Sequence, residues 1–314
     1  MRLPAISPHT YWRITLAALG LGALIIVTGG AVRLTGSGLG CPDWPSCGRA
    51  TVVGAASYHR HIEFGNRLVT GAVSIVVILA VLGSLARRPR RQDLVWLSLG
   101  LVAGVLGQIV LGGVTVLLDL APPLVMAHFS LSMAILACAV VLHHRAGRPD
   151  EARPVPLVPE LVRRMRGLLM AAAALVVFLG TVVTGAGPHP GSSGDQIVER
   201  LPFDLHDVAR VHGGAVMLFL ALVLVTVAAL VQGRAPRPVL HRAEALLAVL
   251  VAQAGVGYAQ YFLGVPALLV AVHIAGATAV WATTLWFGLG LVEWVPVAPS
   301  VSGVTQPSQV LAAT

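Results

Sequence analysis

Eight apolar stretches of 18 to 28 residues run through this 314-residue sequence and constrain its fold more than any other feature. Each is long enough to cross a hydrocarbon core of about 30 Å as a helix. The runs are continuous rather than alternating, which excludes a transmembrane β-barrel. Only 11% of the residues are charged, against roughly 25% in a soluble domain, so a soluble enzyme is excluded as well. We predict an all-α integral membrane protein with transmembrane helices at 12–32, 63–86, 93–117, 122–143, 167–186, 205–232, 241–262 and 266–291.

The charged residues predict the orientation of these helices. All 21 basic residues are arginine. The side that carries both termini holds 15 arginines and 6 acidic residues, and the other side holds 6 arginines and 7 acidic residues. The positive-inside rule therefore predicts a multi-pass protein of the cell (cytoplasmic) membrane with both termini in the cytoplasm. The arginines are dispersed over short loops, so the net charge of +8 indicates topology and no nucleic-acid partner.

The sequence contains an internal repeat. One pattern recurs 145 positions later, with Gln108, Gly112, Leu124, Val125 and His128 matching Gln253, Gly257, Leu269, Val270 and His273. Each unit has four spans, so the halves share one orientation and are related by a pseudo-two-fold axis along the membrane normal. We expect two pseudo-symmetric four-helix bundles. The predicted domains are an N-terminal bundle over 1–147, a Pro-rich cytoplasmic linker over 148–166, a C-terminal bundle over 167–292 and a cytoplasmic tail over 293–314.

Three histidines lie inside the predicted spans. His128, His212 and His273 are each six or seven residues from the outer end of a span, at a depth of about 10 Å. An ionisable residue at that depth is a functional candidate. His212 and His273 belong to one half and can face each other as the two axial ligands of a haem. Helix packing is the alternative role. A zinc site would need further ligands at this depth, and covalent haem attachment would need a C-x-x-C-H motif.

The first half departs from the second at the position that matches His212. That position is Asn66, so this half has one intramembrane histidine, His128. Glu63 lies three residues before Asn66 and therefore on the same helical face. An ion pair with Arg67 is the alternative role for this carboxylate. The second half is thus predicted to hold a permanent cofactor, and the first half to be a reactive or exchangeable site.

Cys41 and Cys47 lie in the first external loop, within the segment GLGCPDWPSCGR. Thiols oxidise outside the cytoplasm, so this pair can close a small disulfide, either structural or redox-active. A metal site is the alternative. Cys138, inside the fourth span, is predicted to be an inert packing residue.

Several of these segments resemble the haem A synthase family. They are GGAVRLTGSGLGCPDWPSC after the first span, IEFGNR in the second, TVVTGAGPH after the fifth, and the histidines of spans four, six and eight. The resemblance covers about positions 12 to 290. It implies an oxidoreductase that oxidises the C8 methyl group of haem O to a formyl group, giving haem A for terminal oxidases. It also implies haem b as cofactor.

The resemblance assigns roles to residues of this sequence. His212 and His273 would bind the iron of haem b, and His128 would bind the iron of the substrate haem. Glu63 would be the catalytic carboxylate, and Cys41 and Cys47 the external disulfide. Many members have histidine where this sequence has Asn66, so no ligand role is carried onto that residue. His59 or His61 would replace it only if the second helix began earlier than predicted.

The expected partners are the haem O substrate, a haem O synthase, a quinone or other electron acceptor, and membrane lipid. The Gly-rich spans can pack between copies of the chain as well as within one, so a homo-oligomer is compatible with the sequence. Two other functions explain some of the same residues. A membrane b-type cytochrome that only transfers electrons would need the histidines but neither Glu63 nor the unequal halves. A transporter built from two repeats would use histidines and Glu63 as a proton relay.

Overall fold

The computed structural model describes residues 4–41, 44, 55–192 and 198–297. Its helices are α1 (Pro8–Leu34), α2 (Ala55–Ala86), α3 (Gln92–Leu117), α4 (Pro122–Ala146), α5 (Glu160–Ala186), α6 (Leu205–Gln232), α7 (Arg237–Phe262) and α8 (Ala267–Leu289). Two short strands, β1 (Ala152–Pro156) and β2 (Val292–Pro296), complete the described part. All eight helices are long and apolar enough to cross a membrane. The prediction of an all-α multi-pass membrane protein is confirmed.

The helix contacts have the predicted two-fold symmetry. In the first bundle α1 packs against α2 and α4, and α3 packs against α2 and α4; the second bundle repeats this pattern with α5 to α8. Between the bundles α4 packs against α8, while α4–α5 and α8–α1 form an equivalent pair of contacts. Exchanging the two halves maps this set of contacts onto itself, as an isologous interface requires. The pseudo-two-fold axis therefore passes beside α4 and α8.

Each bundle has its own core, and a third cluster joins the two. Tyr11, Leu94 and Leu142 are fully buried in the first bundle, and its counterpart contains Phe219 and Phe287. At the junction, Ile26, Met133 and Leu136 pack against Ile274 and Trp281. The Trp281 indole donates a hydrogen bond of 2.9 Å from Nε1 to the Met133 carbonyl, which links α8 to α4.

Two equivalent turns lead into the histidine-bearing helices α4 and α8. Leu120 and Val265 occupy the left-handed region, at φ 59° and φ 61°, and are separated by the repeat offset. The Leu120 amide donates to the Thr115 carbonyl at 2.8 Å, and the Val265 amide donates to the Gln260 carbonyl at 2.7 Å. Non-glycine residues adopt this conformation at a cost of about 1 kcal/mol or more. Because both turns close with the same hydrogen bond, α4 and α8 begin at equivalent positions. His128 and His273 therefore lie at the same depth in the two bundles.

The structure adds detail to the predicted helix boundaries. Helix α2 begins at Ala55 rather than at position 63, and α5 begins at Glu160, inside the predicted linker. The rest of the linker is not an independent segment, because β1 pairs with β2 in an antiparallel two-stranded sheet. This sheet lies at what we call the arginine-rich end, where α1 and α5 begin and α4 and α8 end. It connects the segment after α4 to the segment after α8.

Candidate functional site

The three intramembrane histidines are held in the same way, each against a glycine of a neighbouring helix. A Cβ atom added at Gly112 or Gly257 would lie 3.1 Å from Cε1 of the facing imidazole, and one added at Gly180 would lie 3.4 Å from it. The facing pairs are Gly112 with His128, Gly257 with His273 and Gly180 with His212. The absence of a side chain lets each ring edge rest directly on a helix backbone.

The two ring nitrogens of these histidines have different surroundings. Nδ1 of each ring is buried and has no partner at hydrogen-bond distance, and the His212 ring also interacts with the Val176 backbone. Nε2 makes no hydrogen bond to any described residue and is not among the buried atoms, so it is the accessible nitrogen. Haem iron takes an imidazole nitrogen as its axial ligand. An imidazole fixed at one edge, with its other nitrogen accessible, has the chemistry of such a ligand.

A glutamine holds the backbone of two of these histidines. Gln108 on α3 donates from Nε2 to the His128 carbonyl at 2.9 Å. Gln253 on α7 donates to the His273 carbonyl at 2.8 Å. Each glutamine precedes the glycine under the ring by four residues, so the two share one helical face. The repeated Q-x3-G pattern therefore encodes one structural unit, which fixes a histidine on the next helix by its backbone and by its ring.

His212 and His273 face each other in the second bundle. Their ring centroids are 6.4 Å apart, and their planes make an angle of 73°. A metal–nitrogen bond of about 2 Å on each side, plus roughly 1.1 Å from nitrogen to ring centroid, would separate two axial imidazoles by about 6.3 Å. The two residues thus fit a haem iron placed between them. No third or fourth ligating side chain joins them among the residues described, so the donor set suits haem better than zinc.

Among the described residues, the first bundle has no equivalent pair of facing imidazoles. Asn66 is engaged by α1, because the Thr28 hydroxyl donates to its Oδ1 at 2.8 Å. Helix α2 does begin earlier than predicted, yet His59 lies seven residues before Asn66, about 10 Å further along the helix. Nδ1 of His59 is 2.9 Å from the Ser37 hydroxyl, and His61 is exposed. Neither histidine takes the place of Asn66, and His128 is the imidazole of this site.

Glu63 is buried, with a residue exposure of 6%, and both of its carboxylate oxygens are engaged. Arg67 donates to Oε1 at 2.6 Å, and the backbone amide of Cys41 donates to Oε2 at 2.6 Å. Arg67 also donates to the Cys41 carbonyl at 3.1 Å. The ion pair with Arg67 is therefore present, and it belongs to a network that fastens the first loop to α2. The two hydrogen bonds hold the carboxylate group in one place.

The first loop is fastened at a second point as well. The Trp44 ring covers α3 at Gly113, where an added Cβ would come within 2.5 Å of the indole. Gly113 is adjacent to Gly112, the glycine under His128. Of the described loop residues, Cys41 thus contacts the carboxylate of α2, and Trp44 contacts the helix that supports His128. Cys41 is almost fully buried and disulfide-bonded. Cys47 lies outside the described residues, so the pairing of these two cysteines stays a prediction.

A family comparison agrees with these features. Residues 12–188, more than half of the chain, match the family model COX15-CtaA, described as cytochrome oxidase assembly protein. The chain belongs to this family. The matched region runs from α1 through α5 and contains His128, Glu63 and the first loop. It ends before α6 and α8, which carry the pair of facing histidines.

Curated relatives named heme A synthase match over regions of 169 to 229 residues. The protein of Alkalihalophilus pseudofirmus is 25% identical over 69% of this chain and 76% of its own length. That of Symbiobacterium thermophilum is 32% identical over 58% of this chain and 61% of its own length. That of Exiguobacterium sibiricum is 27% identical over 52% of this chain and 56% of its own length. The last two alignments span less than two thirds of the relatives' length.

Sequence reasoning missed three contributors to the sites of this family member. Thr28 engages Asn66, Gly180 supports His212, and Trp44 covers α3. Gly180 was detectable in principle, because a glycine inside an apolar helix close to a histidine suggests a close approach. Thr28 and Trp44 carry no such signal, since their contacts come from helices and loops that meet only in the folded chain. Outside these sites, Arg33 donates to the carbonyls of His189 and Thr184 and so ties α1 to the second bundle.

Proposed function

We propose that this protein is a haem A synthase, which oxidises the C8 methyl group of haem O to a formyl group and so supplies haem A to terminal oxidases. Family membership and the heme A synthase relatives support this function. The main structural support is that the two halves of the chain have different candidate sites. One half has two facing imidazoles, and the other has one imidazole beside a buried, fixed carboxylate. A cytochrome that only transfers electrons needs no such difference.

In this proposal the second bundle holds haem b as a resident cofactor. His212 and His273 would bind its iron through Nε2, supported by the spacing of their rings and the glycine contacts behind them. When bound, this group supplies one-electron transfer. The residues keep the two imidazoles apart and oriented: Gly180 and Gly257 contact the ring edges, and Gln253 holds the backbone of His273. This support favours a ligand pair that stays bound through turnover.

The first bundle would bind the substrate haem. His128 offers one ligand nitrogen, and the position that corresponds to His212 is Asn66, whose side-chain oxygen accepts a hydrogen bond from Thr28. A single imidazole ligand binds the substrate less tightly than a pair, which suits a molecule that must enter and leave. The unpaired site is thus consistent with turnover, whereas the paired site is consistent with retention.

Glu63 would act through its charge. Oxidation of a porphyrin methyl group develops positive charge at the carbon, and a carboxylate in a low-dielectric site stabilises that charge. Each oxygen of Glu63 accepts one hydrogen bond, from Arg67 and from Cys41, and these two bonds fix the position of the carboxylate. A fixed position suits electrostatic stabilisation, and general-base catalysis is the alternative role. The same contacts give Glu63 a second role, the placement of the loop beside the substrate site.

The remaining assignments complete the proposal. The arginine-rich end would face the cytoplasm of a bacterial cell membrane, which places the three histidines and the first loop in the outer half of the bilayer. Cys41 and Cys47 would then form their disulfide on the oxidising side. Haem O would come from a haem O synthase, and electrons would pass to a quinone or other acceptor.

Haem analysis of whole cells tests the proposed function. The chain is produced in cells that make haem O but no haem A, and the extracted haems are identified by chromatography and mass spectrometry. We expect haem A with the native chain and with His206→Ala, a control that removes an exposed histidine from the first turn of α6. We expect none with His128→Ala. Haem O alone in cells with the native chain would refute the function.

Glu63→Gln tests the role of the carboxylate. Glutamine has nearly the same shape but no charge, and its single amide oxygen can accept from Arg67 or from Cys41, not from both. We expect a folded protein with normal haem content and no formyl product. Normal accumulation of haem A in this variant would eliminate the electrostatic role.

A further inference from the structure

A cluster of basic side chains lies at the arginine-rich end, where the two bundles meet. We call it the junction cluster. Its members come from the end of α4, the segment before β1, the start of α7, the end of α8 and β2: His144, Arg145, Arg148, Arg242, Trp286 and Trp294. The Arg91 guanidinium donates to the carbonyls of Arg145 at 3.0 Å and Arg148 at 3.3 Å, and Arg148 and Arg242 both act electrostatically on His144. The cluster therefore joins the first half of the chain to the second.

The positive charge of the junction cluster exceeds the nearby negative charge. Asp93 pairs with Arg91 at 2.8 Å and with Arg145 at 3.6 Å, and is thus already shared. Arg148 and Arg242 have no carboxylate within 4.0 Å among the residues described here. The pKa of Arg148 is lowered to about 10, first by burial and then by the charges of Arg145 and Arg91. An anion bound beside Arg148 would offset both the loss of solvation on burial and the repulsion from Arg145 and Arg91.

Both unpaired guanidinium groups are stacked on tryptophan rings. The Arg148 guanidinium carbon lies 4.0 Å from the Trp294 ring centroid, and that of Arg242 lies 4.8 Å from the Trp286 ring centroid. Arg242 also donates to the Trp286 carbonyl at 2.9 Å. Stacking fixes the plane of a guanidinium and leaves N–H groups at its edge for planar recognition of phosphate or carboxylate. The two arginines are therefore oriented before any ligand arrives.

Hydrogen-bond donors in the same cluster lack partners. Nε of Arg148, Nε of Arg145 and Nε1 of Trp294 are buried without a partner, as is Nε2 of His144. Arginine and the indole nitrogen can only donate, so the missing partner must be an acceptor. Buried polar atoms without a partner are rare in native proteins and indicate an ion, a water molecule or a ligand. Several orphaned donors in one cationic cluster indicate a group with several acceptor oxygens.

The location selects the chemical class of this group. The cluster lies where membrane-spanning helices end, and tryptophan is enriched at the boundary between hydrocarbon and water. Basic pockets between transmembrane helices at this level bind phosphate head groups. We propose that the junction cluster binds the phosphate head group of an anionic membrane lipid, which joins α4 to α7, α8 and β2. This proposal is independent of the haem chemistry.

Native mass spectrometry of the full-length protein in mild detergent tests the proposal. The protein is titrated with phosphatidylglycerol, which is anionic, and with phosphatidylcholine, which is zwitterionic. We expect the native chain to bind the anionic lipid about tenfold more tightly or better, and the double variant Arg148→Gln, Arg242→Gln to lose this preference. Arg90→Gln is the matched control, because it removes one exposed charge at the same end outside the cluster and should change nothing.

One further variant and two further ligands complete the test. Trp294→Phe preserves the ring under Arg148 but removes the orphaned N–H group, so a folded protein with several-fold weaker lipid binding is expected. Equal binding of both lipids by the native chain, or unchanged preference in the double variant, would overturn the proposal. Inorganic phosphate is the probe for a soluble ligand: if it stabilises the protein against heat as much as phosphatidylglycerol does, the lipid assignment is wrong. Tighter binding of an acidic peptide would assign the cluster to a protein partner instead.

Discussion

The glycines behind the imidazoles give a graded test of the histidine geometry. In Gly257→Ala the new Cβ would lie 3.1 Å from Cε1 of His273, whereas carbon atoms pack best at about 3.5–4.0 Å. The ring must therefore move by about 0.4 Å. Overpacking of this kind costs about 1–3 kcal/mol, and exchange of glycine for alanine in a helix returns about 1 kcal/mol. We expect Gly257→Ala to lose up to about 2 kcal/mol of stability.

Gly180→Ala is the matched control, since it makes the same exchange behind the other imidazole of the pair. Its Cβ would lie 3.4 Å from Cε1 of His212, an ordinary contact, so the variant should be as stable as the native chain or up to about 1 kcal/mol more stable.

Two measurements compare these variants. Thermal unfolding reports the packing effect, and the reduced-minus-oxidised spectrum of purified protein reports the haem. Gly257→Ala should perturb the low-spin haem b spectrum and weaken haem retention by up to about 30-fold, the equivalent of 2 kcal/mol. Gly180→Ala should leave both unchanged. If the two substitutions have equal effects, or if the second is the more harmful, the inferred support of the imidazoles by glycine is wrong.

Three further substitutions follow from the structure. Gly276→Ala would place a Cβ 1.8 Å from Oε1 of Gln253, so the Gln253 side chain must move. We expect thermal unfolding to show a loss of about 1–3 kcal/mol in stability. An unchanged melting temperature would contradict this contact. Asn66→His restores the imidazole that the repeat predicts opposite His128. It should add a second low-spin haem signal in protein purified with excess haem. A single signal would show that positions 66 and 128 do not face each other. Arg33→Met removes two hydrogen bonds between the bundles, at a cost of about 1.5–3 kcal/mol each, and should lower the unfolding temperature without changing haem content.

The sequence was sufficient to predict most of the fold, because a membrane imposes helices on long apolar segments. The repeat of Q-x3-G and histidine predicted the two-fold symmetry, which the helix contacts confirm. The early start of α2 at Ala55 was not predictable from hydropathy, since its first turns include His59 and His61. The β1–β2 sheet was not predictable either, because the pairing joins segments that no local pattern connects.

The candidate site was predictable in its residues but not in its contacts. Spacing alone places the intramembrane histidines at one level, whereas the ring separation of His212 and His273 depends on how α6 and α8 pack. Glu63 shows the same difference. An i,i+4 ion pair with Arg67 can be read from spacing, but the hydrogen bond from Cys41 depends on the path of a loop 22 residues away. That contact shows that Glu63 also holds the backbone of Cys41 beside α2, which its spacing to Arg67 does not indicate.

The central claim is that the two halves do different work, one holding a resident haem and the other binding the substrate. The most direct test is the haem content of two purified variants, His212→Ala and His128→Ala, produced in cells that supply haem O. We predict that His212→Ala loses the low-spin haem b spectrum, while His128→Ala retains it and forms no haem A. Loss of haem b in both variants, or haem A formation by His128→Ala, would contradict the account.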